Sequence, residues 1–334
     1  MQRWTAESIH LDLKYTWKIS RNATDFKTNI IVTLQDGGIT AKGEAAPNVR
    51  YNESAESCLE EFNRFVKLLP EQTDHLNQIR EAITNAGVSH ALAFAIESAW
   101  IHRCAALEKK STPEYLELAP VTQVPTSYTI PIMETGKLKD FFAENKLDRF
   151  PYIKLKVNNE DAYDSLKYLL SFCDQPVMVD ANEAFKDVEE CIYWLEKIKR
   201  MPLVFVEQPM PSAMKEESAY LKKYCSFPLM ADEAITDQAD FDELRQSFDG
   251  INVKLMKTGG YMTGIRLLKE ARRLGMKTMI GCMVETTLGI SSAMNLCSLT
   301  DYADLDSFIL LKEEPFGLIS ENKGVIYFPQ NAQK

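Results

Sequence analysis

The chain has 334 residues, 45% apolar and 26% charged, an ordinary globular composition with enough length for one large domain and a smaller one. Its formal net charge of −10, with no basic tail, argues against a nucleic-acid partner, and no apolar stretch reaches membrane-spanning length. The opening residues carry no signal-peptide core and the seven cysteines are scattered without close pairing, so a reduced, cytoplasmic protein is expected.

Strand-like runs open the chain near residues 5–17, 28–34 and 39–44, with Asp36-Gly37-Gly38 as a hairpin turn. Helical patterns follow near 54–68, 74–84 and 89–107, the last capped by Ser89 and bearing a small packing face of Ala91, Phe94, Ala95, Ser98 and Ala99. Strands followed by helices predict a compact α+β domain over residues 1–112, with a boundary in Lys110-Ser111-Thr112-Pro113. Strand and helix then alternate. Strands are expected near 126–130, 153–157, 176–180, 203–207, 228–232, 250–254, 277–281 and 306–310, separated by helices such as 160–172, 187–199 and 264–274. Eight strands in this rhythm predict a (β/α)-type barrel over residues 113–312. The segment 313–334 has a strand-like Val325-Ile326-Tyr327-Phe328 and no room for a further helix, so it is expected to return to the N-terminal domain.

Five of the barrel runs end in charge: Lys154 and Lys156, Asp180, Glu207, Asp232, and Lys254. Runs this apolar are strands buried on both faces, where a charge is costly unless paired or bound to metal. Side chains alternate along a strand, so with Ile153, Leu155, Val179, Val206, Ala231 and Val253 facing the helices, all six charges face the barrel interior at its C-terminal end. Lys154 and Lys156, two residues apart, should lie about 6–7 Å from each other. Asp180, Glu207 and Asp232 offer only oxygen donors, which suits a hard cation such as Mg²⁺ better than Zn²⁺. Salt bridges with the lysines are the competing explanation for each carboxylate alone; three on successive strands with matched direction favour a metal. Lys156 and Lys254, from opposite sides, are then placed to move a proton on either face of a bound substrate. Cys282 follows a strand without a nearby histidine and reads as a packing residue.

Together these residues resemble the enolase superfamily, specifically its muconate-lactonizing subgroup, over nearly the whole chain. The resemblance implies a modified (β/α)₇β barrel of the TIM type joined to an N-terminal α+β capping domain, which the C-terminal segment completes. It implies one Mg²⁺ on Asp180, Glu207 and Asp232, an acid/base pair of Lys156 and Lys254, and supporting roles for Lys154, Asn182 and Glu233. Asp304-Leu305-Asp306 is similar to the Asp-x-Asp of dipeptide epimerases, which implies that Asp304 and Asp306 bind a free ammonium group, with Lys154 close to the substrate. By the same resemblance Arg21 would hold the second residue's carboxylate, as in epimerases of L-Ala-D/L-Glu, with Arg50 the other candidate. No lysine stands in Glu285-Thr286-Thr287-Leu288-Gly289, where some Ala-Glu epimerases carry one.

The implied activity is 1,1-proton transfer at the α-carbon of the C-terminal residue of a dipeptide, in murein peptide metabolism if that dipeptide is Ala-Glu. His10, His75, His90 and His102 all fall in the N-terminal domain, which argues against relatives that use a barrel histidine as base. The rival readings are an epimerase for a different dipeptide, o-succinylbenzoate synthase, muconate cycloisomerization, and a catalytically retired barrel that only binds. A small-molecule dipeptide and a homo-oligomer are the expected partners.

Overall fold

The computed structural model describes residues 2–20 and 22–329. Its first unit is an antiparallel sheet of β1 (Arg3–Lys18), β2 (Ala23–Asp36) and β3 (Ile39–Ala45), covered by helices α1 (Ala55–Leu68), α2 (Leu76–Ala86) and α3 (His90–Leu107). Ser54 and Ser57 form a reciprocal cap at the start of α1. The expected face of α3 is buried at Ala91, Phe94, Ala95, Ser98 and Ala99, but so is nearly every other side as far as Ala105. The helix lies between the sheet and the barrel, and its small residues allow that approach. Gly43 on β3 completes the fit, because a Cβ there would collide with the Ala95 carbonyl.

The barrel strands are parallel and follow chain order. A short β4 (Gln123–Pro125) precedes β5 (Ser127–Ile130), β6 (Tyr152–Lys156), β7 (Val177–Asp180), β8 (Leu203–Glu207), β9 (Leu229–Ala231), β10 (Gly250–Lys254), β11 (Lys277–Gly281) and β12 (Tyr302–Asp304). Helices follow the first seven of the eight barrel strands, giving a (β/α)₇β arrangement. Side chains close the ring between β12 and β5: the Thr126 hydroxyl accepts from Leu305 N at 2.8 Å, and Ser127 Oγ donates to Asp304 at 2.7 Å.

Residues 306–310, expected to be strand, instead form a 3₁₀ turn over Ser307–Leu310 after a strand that stops at Asp304. Asp306 leaves the strand conformation and turns its carboxylate to Thr129 N, at 2.6 Å, on β5. The apolar run beyond it divides between the barrel core, which takes Phe308 and Leu310, and β1, where Leu311 pairs with Leu13.

After the barrel the chain touches the capping unit through Lys312 N to Asp12 O and Lys42 over the Phe316 ring. It then forms β13 (Ser320–Asn322) and β14 (Val325–Tyr327), an antiparallel pair whose β14 also pairs with β4, just ahead of the first barrel strand in the chain. Among the described residues no helix is long and apolar enough to cross a membrane.

Two buried glutamates of the capping unit clamp it to the barrel at helix N-termini. Glu44 accepts from Thr286 N, Thr286 Oγ1 and Gly289 N at the start of the helix Thr287–Met294. Glu97 accepts from Met262 N, at 3.0 Å, at the start of the helix Tyr261–Arg273. Exposed backbone N–H groups and the positive helix end favour an anionic partner at both places.

Candidate active site

Strand register assembles the site. Lys156, Asp180 and Glu207 are paired neighbours across β6, β7 and β8, and Lys254, Gly281 and Asp304 across β10, β11 and β12. Two residues back along their strands, Met178, Phe205 and Met230 point the same way and join Met279 in an apolar plug. The charged layer therefore rests on a dry floor that strengthens its electrostatics.

Oxygen atoms of Asp180, Glu207 and Asp232 lie within 4.8 Å of one another, all three residues buried. Lys154 Nζ sits among them, 3.1 Å from Asp180, 2.8 Å from Glu207 and 2.9 Å from Asp304. Lys156 Nζ donates to Asp180 Oδ2 at 2.8 Å and to Asn182 Oδ1 at 2.7 Å. Lys254 Nζ donates to Asp232 Oδ2 at 2.8 Å. The two amines thus flank the acid trio, one on Asp180 and the other on Asp232. Asn182 also reaches Glu233, at 3.3 Å.

Burial pulls Lys154 down, yet Asp180, Asp304, Glu207 and Asp232 outweigh it and hold the ammonium well above its ordinary range. Burial likewise opposes the charged form of Lys254, and Asp232 overcomes it and raises the amine. Asp180 and Asp232 resist burial through their lysine neighbours and stay below the usual carboxylate range. Glu207 does not: burial, only partly offset by Lys154, pushes it up to about 8. Asn252 Nδ2 donates to its Oε1 at 2.8 Å, but Oε2 receives no hydrogen bond from the described residues despite its ion pair with Lys154. An under-compensated buried carboxylate in an all-oxygen trio fits a divalent cation. Asp180, Glu207 and Asp232 are the residues that would hold it.

Both aspartates of Asp304-Leu305-Asp306 line the same pocket but differ in employment. Asp304 accepts from Ser127 Oγ, Thr129 Oγ1 at 3.0 Å and Lys154 Nζ. Asp306 is held by Thr129 N, and burial with Asp304 beside it raises its carboxyl to about 7. Arg21 lies outside the described residues. Arg50 lines the pocket, but its guanidinium forms a two-point contact with Glu183 at 2.9 and 3.2 Å. Cys282 gives its thiol to the Asp304 carbonyl, consistent with packing.

Three contributors escaped sequence reasoning. Lys257 Nζ contacts the Asp232 carboxylate and carbonyl from one turn beyond Lys254, and a lysine just after a strand reads as helix surface. Gln208 Oε1 accepts from Asp232 N and Ala234 N at 3.0 and 3.1 Å, fixing the loop after β9. Tyr51, from a capping-unit turn, lines the pocket close enough to Asp232 for that charge, after burial, to help raise its hydroxyl. Only the positive φ of 36° at Gln208 marks its position as unusual, and that is not visible in sequence.

A family model described as enolase C-terminal domain-like matches residues 137–312. The chain is 33% identical to an L-Ala-D/L-amino acid epimerase of Pedosphaera parvula, covering 97% of this chain and 95% of that one. It superposes with a TM-score of 0.89, at 26% identity, on an enolase family member from Agrobacterium tumefaciens with homology to dipeptide epimerases and bound sodium and L-Ala-L-Glu, covering 99% and 98% of the two chains. A dipeptide epimerase from Cytophaga hutchinsonii shares the fold, with a TM-score of 0.92 at 22% identity over 98% and 93%. With its site built on the ends of successive barrel strands, this chain belongs to the enolase C-terminal domain-like family of the enolase superfamily, and it is an isomerase of the racemase and epimerase kind.

Proposed function

We propose that the protein is a magnesium-dependent dipeptide epimerase that inverts the α-carbon of the C-terminal residue, with L-Ala-D/L-Glu the leading substrate. The observation that carries this reading is two buried amines, Lys156 and Lys254, one at each flank of the acid trio and in the same pocket as Asp304 and Asp306. Magnesium on Asp180, Glu207 and Asp232, when bound, would neutralise negative charge that builds on a substrate carboxylate as its α-proton leaves. Lys156 and Lys254 sit on different strands, so one amine takes that proton from one face and the other returns a proton to the opposite face. Asn182, bonded to both Lys156 and Glu233, fixes the direction of the Lys156 amine. Lys154 holds Asp180, Glu207 and Asp304 in one arrangement and so couples the metal ligands to the Asp-x-Asp pair.

Asp306 is the ammonium acceptor best placed for the substrate, since its charge is the less compensated of the pair. A dehydration of the succinylbenzoate type has no need of an acid pair there, and a protein that only binds has no use for amines on both flanks. The relatives named for L-Ala-D/L-amino acids support the same class of substrate. Incubation of a dipeptide library in D₂O with Mg²⁺ tests the proposal by mass spectrometry. Deuterium at the α-carbon of the C-terminal residue is expected. Absence of exchange with every dipeptide, with turnover of a succinylbenzoate precursor, would refute it.

A further inference from the structure

The pocket holds cations of two kinds. Lys154, Lys156 and Lys254 come from the barrel, and each is within 3.1 Å of a carboxylate. Arg50, from the capping unit, is joined to Glu183 at 2.9 Å. Lys27 on β2 lines the same pocket and, among the described residues, is the one cation there with no ion pair.

Strand pairing shows which way Lys27 faces. It lies directly opposite Leu11 on β1, and Asn29 lies opposite Ile9. Directly opposed residues of an antiparallel pair project from the same face. Leu11 packs with Val284 and Leu311 of the barrel side, with Ile9 against the same cluster, and Asn29 Nδ2 donates to the Val284 carbonyl at 2.9 Å. Lys27 therefore shares the face that meets the barrel, its alkyl stem beside an apolar cluster and its amine at the pocket wall. Burial lowers its proton affinity and no acid acts in the other direction. A half-buried ammonium without a counter-charge is costly in the free protein and is stabilised by a ligand that brings one.

The pocket is thus divided: Asp304 and Asp306 stand on the barrel side, and the unpaired cation stands on the capping side. A ligand with a cation at one end and an anion at the other satisfies both. Resting on the dipeptide-epimerase reading, we propose that Lys27 recognises an anionic side chain on the residue being inverted, and so makes acidic dipeptides the preferred class.

The test compares L-Ala-L-Glu with its neutral isostere L-Ala-L-Gln for the wild type and for K27M and K27Q, which keep most of the stem and remove the charge. Wild type should favour the acidic dipeptide in kcat/KM. In K27M that preference should fall by about tenfold to a hundredfold, mainly through KM, as expected for loss of one charge-assisted hydrogen bond. K27Q, checked by thermal unfolding alongside, should show the same fall and guards against a packing defect peculiar to methionine. An unchanged Glu-to-Gln ratio in both folded variants would overturn the role of Lys27, as would a wild type with no preference for the acid. A wild type that exchanges the α-proton of no dipeptide would instead overturn the epimerase reading itself.

Discussion

Asp306→Asn separates recognition from folding better than any other change at the site. In the wild type one Asp306 oxygen accepts from Thr129 N at 2.6 Å, and an asparagine carbonyl can keep that bond. The charge that is lost was poorly compensated, because burial and Asp304 already raise the carboxyl to about 7. The fold holds that charge at a cost, so at neutral pH and above the Asn variant should be at least as stable as the wild type. A dipeptide ammonium, by contrast, loses a charge-assisted partner of about 1.5–3 kcal/mol, so KM should rise about tenfold to a hundredfold. Asp304→Asn is a different experiment. It breaks the Lys154 contact at 2.9 Å and disturbs the bonds to Ser127 and Thr129 that close the ring, and breaking a buried pair costs about 3–5 kcal/mol. The assay is steady-state epimerization of free and N-acetylated L-Ala-L-Glu, with urea unfolding of each variant. The same KM in wild type and Asp306→Asn, with free and acetylated dipeptides treated alike, would refute the ammonium role.

Three further expectations follow from the same contacts. Because Asp306 must be ionised to hold an ammonium, dipeptide affinity should weaken as pH falls from 8 through the value of about 7, by about tenfold at pH 6, and the weakening should vanish in Asp306→Asn. A pH-independent KM would contradict this. Glu44→Ala leaves Thr286 N and Gly289 N without their acceptor inside the protein, and should cost about 3 kcal/mol or more in urea unfolding; a loss under about 1 kcal/mol would show that the clamp is dispensable. Burial, with Glu44 beside it, lifts Glu285 from 4.5 to about 8, so the folded protein keeps a proton that the unfolded chain releases. Its contribution therefore turns against folding as pH rises from 4.5 to 8, by a few kcal/mol, and Glu285→Gln should flatten that decline. Parallel stability–pH profiles for the two proteins would contradict the assignment.

The charged strand ends were legible because burial makes them exceptional. Val177-Met178-Val179-Asp180 and Leu203-Val204-Phe205-Val206-Glu207 leave no exposed face for an acid, and the two-residue period then decides its direction. The same period, two residues earlier, also predicts the plug of Met178, Phe205 and Met230. Strand β12 was misplaced because a three-residue strand leaves little pattern, while the apolar run after it packs against two different units. Strand β14 was legible in Val325-Ile326-Tyr327-Phe328, but its pairing with β4 and β13 was not, because those strands are three residues each and the β4 partner lies a whole barrel away in sequence. Nothing in the local sequence sets Glu44, Glu97 and Lys27 apart from the other charges of the capping unit. Their partners or their lack of partners depend on docking against loops more than 150 residues away, which no local pattern encodes.

The two-amine arrangement is tested most directly by α-proton exchange in D₂O with Lys156→Ala and Lys254→Ala, each supplied separately with the L,L and L,D forms of the dipeptide. Neither variant should epimerize; each should incorporate deuterium from one form only, the two variants with opposite preference. Full epimerization by either variant, or exchange of both forms by one of them, would contradict a proton path that needs an amine on each side.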